Sequence, residues 1–305
     1  MGCWKKFLLS WSVVLILVVS TIAAERITLW TWYGTEMGAI LKDMIQNEFS
    51  AKTGIEVDIV VLPAGDTTNK LILSYIGGDA PDVVELYSNQ VVELGVRDVL
   101  LNLNSFPDIT KVTGQMNPML LPTMTYRKNL YGIPSQVNWA WTYYRTDILN
   151  ELGLSVPETW DDLRSISQKL KARNMDTYYA YNGVNPEVGK LLPFVFQRNT
   201  DIYNEDGTAS TLDSPECIAA FKELTDLHIK YKFPIEDPTY TTFADGRTPI
   251  QIAQNWYYPG FEQTSPQLKG KWDLALFPGT KQKDGTINRT NTGKSVVWSI
   301  VSTTK

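Results

Sequence analysis

The chain has 305 residues, 33 acids against 28 bases and a formal net charge of −5. An acidic protein without a basic cluster is a poor ligand for nucleic acid or anionic lipid. Its only cysteines are Cys3 and Cys217. If Cys3 leaves with an N-terminal signal, no internal disulfide is possible and the core alone must hold the fold.

The first 24 residues read as a signal peptide. Lys5 and Lys6 form a positive start, Phe7 to Val19 an apolar run, and Thr21-Ile22-Ala23-Ala24 a small-residue cleavage region. The run is short for a membrane span, so the expected location is secreted, periplasmic or at the outer face of the cell membrane. Removing this segment deletes two lysines and no acid, which takes the formal charge from −5 to −7. About 280 residues then remain, ample for two lobes.

Arg26 to Trp32 alternates and is rich in β-formers, so it predicts the first strand. A helix follows over Met37 to Lys52, with Ile40, Leu41, Met44, Ile45 and Phe49 at helical spacing, and Gly54 stops it. Ile55 to Leu62 predicts a second strand and Thr67 to Ile76 a second helix, capped by Asp66 or Thr67. Gly77 and Gly78 end that helix and Pro81 forbids its continuation. Asp82 to Leu86 predicts a third, buried strand. Its exit, Tyr87-Ser88-Asn89-Gln90, reads as a polar, aromatic mouth, although Asn89 and Gln90 could instead cap a helix. The order βαβαβ implies a parallel sheet with helices on both faces, where ligands collect at the carboxyl ends of strands.

Further on, Trp139 to Tyr144 predicts an aromatic strand, and Asp147 to Leu152 a short helix. Thr159 predicts the N-cap of a helix running to about Arg173, with Asp162 in the capping-box position. Asn204-Glu205-Asp206-Gly207 predicts a tight turn, and Ser214-Pro215-Glu216 the start of a helix ending near Lys232. A short helix from Phe243, a strand over Pro249 to Ala253 and an aromatic mouth at Asn255-Trp256-Tyr257-Tyr258 come next. Two more strands follow, Trp272 to Phe277 and Ser295 to Val301.

Catalytic and metal motifs are poorly supported. His228 is the only histidine and sits in mid-helix, so a zinc site of the usual kinds is not expected. Gly293-Lys294-Ser295 resembles the end of a phosphate loop, but the glycine required upstream is Asn288, so the triplet reads as a turn. No metal or cofactor is expected. Paired carboxylates stay open, since 33 acids permit many pairs.

Binding residues are better supported. Aromatics make up 11% of the chain, with 10 Trp and 15 Tyr, and a sugar site wants amides or carboxylates for hydroxyls and flat rings for C–H faces. Trp256 is the expected stacking platform, with Asn255, Asn89, Gln90 and Asn138 as hydrogen-bond partners. Tyr33, Glu36 and Tyr87 are secondary candidates. Trp30, Trp139 and Trp141 read as core. Few basic residues lie near the expected mouth, which argues against highly anionic ligands.

Four segments then carry a resemblance. They are the strand Ile27-Thr28-Leu29-Trp30 after the signal, and Gly78-Asp79-Ala80-Pro81-Asp82-Val83-Val84. The third is Tyr131-Gly132-Ile133-Pro134 with Tyr143-Tyr144-Arg145-Thr146-Asp147 and Pro157-Glu158-Thr159-Trp160-Asp161-Asp162-Leu163. The fourth is Phe243-Ala244-Asp245-Gly246 leading to Asn255-Trp256. Together they resemble the extracellular solute-binding proteins of ABC importers, in the carbohydrate-binding group that includes maltose-binding protein. The resemblance implies an α/β, two-lobed periplasmic-binding-protein-like fold with hinge strands, lobe 1 over residues 25–135 plus 273–305 and lobe 2 over 136–272. It implies a sugar captured between the lobes, closure by hinge motion, delivery to a membrane permease, a monomer and no enzymatic activity. Family members usually run further past the strand at Ser295 to Val301, so the second lobe and part of the first are expected to be incomplete at the C-terminus, with apolar surface exposed. The rival expectations are an exported carbohydrate-active enzyme using two carboxylates, and a non-functional fragment of a binding protein.

Overall fold

The computed structural model describes residues 25–34, 36–179, 188–235 and 240–304, except for the side chain of Glu36. The signal segment, residues 1–24, lies outside the described residues. No helix among the described residues is long and apolar enough to cross a membrane. The chain divides into two units, one running to Val84 and including Thr303 and Thr304, the other spanning Glu85–Ser302.

The first unit is the expected parallel sheet. β1 (Arg26–Thr31) leads through α1 (Glu36–Met44), a π-helical stretch (Ile45–Ser50) and α2 (Ala51–Thr53) to β2 (Glu56–Val61). Gly54 ends the helical run in the left-handed region (φ 75°), where glycine carries no Cβ penalty. After α3 (Thr67–Gly77), Gly78 takes the same conformation (φ 80°) and turns the chain into β3 (Val83–Tyr87). β1 pairs in parallel with β2 along its length and with β3 at Leu29 and Trp30. Asp82 ties this layer together: its Oδ2 accepts from the Thr28 amide (2.7 Å) and its Oδ1 from the Thr304 hydroxyl (2.9 Å). Trp30 is core, as its alternation indicates, at 6% exposure. Asp66 precedes α3 without a side-chain cap bond. The apolar positions Met37, Ile40, Met44 and Phe49, and Leu73 and Ile76 of α3, are exposed.

In the second unit, α4 (Ser88–Val96) starts directly at the end of β3, so the expected polar mouth is instead the first turn of a helix. Short elements follow: α5 (Ile109–Thr113) and the hairpin β4 (Thr125–Tyr126) and β5 (Asn129–Leu130). β6 (Ile133–Arg145) then runs for 13 residues and organises everything after it. The remaining elements are α6 (Thr146–Glu151), α7 (Trp160–Lys171), β7 (Thr177–Tyr179), α8 (Leu192–Phe196), α9 (Pro215–Ile229) and α10 (Tyr240–Ala244). They continue with β8 (Ile250–Gln254), α11 (Tyr257–Thr264), β9 (Trp272–Ala275), β10 (Thr280–Lys281), β11 (Ile287–Asn288) and β12 (Gly293–Ile300). The first half of β6 pairs antiparallel with β12, and its second half pairs antiparallel with both β8 and β9. β7 flanks β8 in parallel.

This central sheet is buried on both faces, as apolar runs in interior strands require. Ile250 and Ile252 of β8 point into one core with Trp160, Leu163, Ile166 and Leu170 of α7. Ala253 of β8 and Tyr143 of β6 point into a second core with Phe243, Tyr257 and Phe261. α7 forms where its signals place it. Thr159 Oγ1 accepts from the Asp162 amide (3.1 Å), and Asp162 Oδ2 accepts from the Thr159 amide (3.0 Å), a reciprocal capping box. α9 is likewise capped by Ser214, which accepts from the Cys217 amide.

Two further expectations need correction. Gly293-Lys294-Ser295 is the start of β12, not a turn, because β6 offers it a pairing edge from Val137 to Trp139. The aromatic stretch after Asn255 is α11, not an open mouth. Pro259 sits in the first turn of that helix, where its missing N–H costs no intrahelical bond. Gly260 permits the Tyr240 ring to pack there, since a Cβ would lie 2.3 Å from Cζ.

Arg145 closes β6 with a buried guanidinium, which donates to Phe243 O (3.0 Å), Ala244 O (2.8 Å) and both Asp147 carboxylate oxygens. That hydrogen bonding holds the Asp147 carboxyl below the usual carboxylate range. A depressed folded-state pKa stabilises the fold above the unfolded value, about 3.9, and the contribution disappears as pH falls through the folded value. Asp147→Asn is therefore expected to flatten the dependence of the unfolding midpoint on pH below about pH 4. Identical acid limbs in the two proteins would remove Asp147 from the acid response.

Candidate functional site

The second unit carries a half-open cavity of about 600 Å³, within the usual range for small-molecule sites. Its walls come from distant parts of the chain. Asn138 projects from β6 directly opposite Lys294 of β12, and directly opposed residues in an antiparallel pair leave the sheet on the same face. Asn138 is 7% exposed, and its Oδ1 accepts from Gln136 Nε2 (2.6 Å). Gln254 ends β8 opposite Ala140. Ser88 and Asn89 bring the first turn of α4 to the wall, the end of a helix that carries partial positive charge.

The apolar lining is aromatic. Tyr179, Phe196 and Phe277 contribute rings, and Tyr179 and Phe277 are backed by Trp160. The Tyr179 hydroxyl donates to Lys190 O (3.1 Å), which fixes the Lys190 segment against β7. Burial pushes the Tyr179 phenol up from its ordinary pKa, so it stays a neutral donor. Asn291 Nδ2 donates to Ala140 O (2.9 Å) and Thr292 Oγ1 to Gly189 O (3.2 Å), so the segment leading into β12 is stitched to β6 on one side and to Gly189 on the other.

Of the residues picked from sequence, Asn89 and Asn138 line this cavity. Trp256 does not line it. It is 44% exposed, packs at a tilt against Tyr257 (4.4 Å between ring centroids), and its Nε1 donates to Oε1 of the lining residue Gln254 (2.9 Å). Asn255 is directed into the sheet: its Nδ2 donates to Val137 O (3.1 Å) and its amide to Trp139 O (3.0 Å). Gln90 caps α4, its Oε1 accepting from the Tyr87 amide (2.8 Å). Tyr87 places its ring 3.7 Å from Lys294 Nζ. Tyr33 belongs to the first unit, where it borders a groove with Lys42 and Asp58. Glu36 opens α1, and its side chain lies outside the described residues.

Sequence reasoning missed Gln254, Asn291, Lys190, Lys294 and the three rings. Gln254 had a usable signal, since it continues the Ile250/Ile252 alternation one step past the core. Lys294 lay inside a triplet dismissed as a turn. Lys190 and Lys294 also correct the expectation of few bases near the mouth. Among the described residues, no group of three or more His, Cys, Asp or Glu could hold a metal ion.

The family model for bacterial extracellular solute-binding proteins matches residues 31–305. An arabinooligosaccharide-binding protein of Halalkalibacterium halodurans is 23% identical over 280 residues, covering 85% of this chain and 60% of that protein. A lactose-binding protein of Rhizobium radiobacter is also 23% identical over 280 residues, covering 86% and 64%. The chain thus spans about three fifths of the length of these curated relatives. The crystal structure of an ABC transporter solute-binding protein from Thermotoga lettingae, bound with α-D-tagatose, superposes with a TM-score of 0.76 at 23% identity, covering 92% of this chain and 73% of that one. Its mixed α/β fold is therefore that of the periplasmic binding proteins. The match from the end of β1 onward places the chain in the family of bacterial extracellular solute-binding proteins.

Proposed function

We propose that this protein captures a carbohydrate and presents it to the permease of an ABC importer, without chemical turnover. The observation that carries the reading is the cavity lining. Four amides (Asn89, Asn138, Gln254, Asn291) line it together with three aromatic rings, the combination that sugar hydroxyls and C–H faces require. Relatives named for binding arabinooligosaccharide and lactose support the same ligand class. In this reading residues 1–24 direct export, the protein acts as a monomer outside the cytoplasm, and two lobes, 25–135 with 273–305 and 136–272, close on the ligand. Trp256, whose Nε1 donates to the lining residue Gln254, is the first further candidate for sugar contact, and Asn255, Gln90, Tyr33, Glu36 and Tyr87 are the others. The enzyme alternative needs two carboxylates flanking a glycosidic bond, and no carboxylate is among the described residues that line the cavity.

The test is thermal unfolding of the chain with and without a panel of mono- and oligosaccharides. A sugar that binds only the native state is expected to add about 2.7 kcal/mol of stability at a hundredfold excess over Kd, and to be recovered unchanged. A panel without a single shift would sink the proposal. Trp256→Ala is expected to weaken binding of the active sugar by about 1–3 kcal/mol. An unchanged Kd would remove Trp256 from the site.

A further inference from the structure

The floor of the cavity is one face of the central sheet. Asn138 and Ala140 lie two residues apart on β6, and Gln254 of β8 stands directly opposite Ala140, so all three leave the sheet on the same side. Ala140 is the short residue between two amides. Gln254 is held through both its backbone and its side chain. Its carbonyl accepts from the Tyr143 hydroxyl (3.0 Å). The next residue, Asn255, is tied to β6 through its amide and its Nδ2. The Gln254 side-chain Oε1 accepts from Trp256 Nε1 (2.9 Å). An indole N–H can only donate, so this glutamine amide has a single orientation, with its oxygen toward Trp256 and its NH2 group away from it. The same bond engages the one polar atom of the Trp256 side chain, which leaves only the ring to meet a ligand. Asn291 also has an unambiguous orientation, but both of its ends are engaged: Nδ2 donates to Ala140 O (2.9 Å) and Oδ1 accepts from the Thr292 amide (2.8 Å). Gln254 is thus a lining amide of fixed orientation whose Nε2 has no hydrogen-bond partner among the described residues.

Resting on the reading of this cavity as a carbohydrate site, we propose that Gln254 sets its sugar specificity. Its Nε2 donates to one hydroxyl oxygen of the bound saccharide, and Trp256 is a positioning residue that acts through it by holding the amide in the donating orientation. The deoxy form of that sugar leaves a desolvated N–H without an acceptor and is rejected.

The experiment is calorimetric titration of the chain with glucose, galactose, arabinose, maltose, lactose and arabinotriose, followed by the monodeoxy forms of the tightest binder. The expected result is one deoxy form bound at least about tenfold more weakly than its parent. Gln254→Met keeps the length of the side chain and removes the amide, and is expected to bring that ratio to within about twofold. Trp256→Phe keeps a ring and loses the N–H, and is expected to lower the same ratio at least about threefold while the ratios for the other deoxy forms hold. In the double variant, Trp256→Phe is expected to add nothing to Gln254→Met. Unliganded urea midpoints of the variants serve as the folding control. A ratio that survives Gln254→Met, or no deoxy form distinguished from its parent, would overturn the role of Gln254 and leave the carbohydrate reading standing. A ratio that falls in Gln254→Met but not in Trp256→Phe, or additive effects of the two substitutions, would overturn the positioning role of Trp256. Binding of no sugar in the panel would overturn the carbohydrate reading and this inference with it.

Discussion

Trp160→Ala is expected to lower the unfolding free energy by about 3–5 kcal/mol, the usual cost of emptying a large aromatic site in a core. Trp160 is 1% exposed. It stacks on Phe194 with ring centroids 4.4 Å apart and meets Tyr179 and Phe277 edge-on at 5.2 and 5.4 Å. Its Nε1 donates to the buried Gln197 Oε1 (2.9 Å). Because two of these rings also wall the cavity, their collapse into the vacated space should weaken ligand binding as well. Urea unfolding checks the first effect: a lower midpoint with an unchanged slope reports stability alone. Trp160→Phe retains most of the ring and loses the hydrogen bond, so it should cost about 1–3 kcal/mol. A loss below about 1 kcal/mol for the alanine variant would mean that this aromatic cluster does not hold the unit together.

Gln197→Leu is expected to be nearly as damaging, at about 3 kcal/mol or more, although the two side chains are close in size. Gln197 is fully buried. Its Oε1 accepts from Trp160 and from Thr280 Oγ1 (2.9 Å), and its Nε2 donates to Pro278 O (3.0 Å) and Thr290 O (3.1 Å). Leucine would remove all four bonds and leave two of the partners, Trp160 Nε1 and Pro278 O, buried without them. The segment anchored at Thr290 continues into Asn291, Thr292, Gly293 and Lys294, all of which line the cavity. The substitution should therefore reduce stability and affinity together. Ligand titration alongside urea unfolding separates the two, and a destabilised variant with unchanged Kd would show that this anchor does not position the cavity wall.

Local signals were legible in the sequence, and non-local ones were not. The capping box of α7, the serine cap of α9 and the glycine stops of the first unit each depend on a few adjacent residues, and all form where the sequence places them. The start of α4 was misread because a polar run after a strand is compatible with either a loop or a helix cap. Here the Gln90 side chain decides it by bonding back to Tyr87. Asn138 could be picked by residue type. Lys294, its partner across the sheet, becomes visible only once β12 is known to pair with β6. Gln197 gives no sequence signal at all, because its four partners are Trp160 of α7 and three residues 81 to 93 positions downstream, Pro278, Thr280 of β10 and Thr290.

β6 has a consequence for how the chain reaches its native state. It carries Trp139, Trp141, Tyr143 and Tyr144, and its hydrogen-bonding edges are completed only by segments much later in the chain. Tyr143 finds Gln254 after 111 residues, and Ser135 finds Val296 after 161. During synthesis this strand therefore emerges long before either neighbour exists, and closing loops of that length is slow. Over that interval an aromatic strand with two open edges is the segment most in need of a holding partner, and the one where a slow ribosome or a missing chaperone would first appear as aggregation.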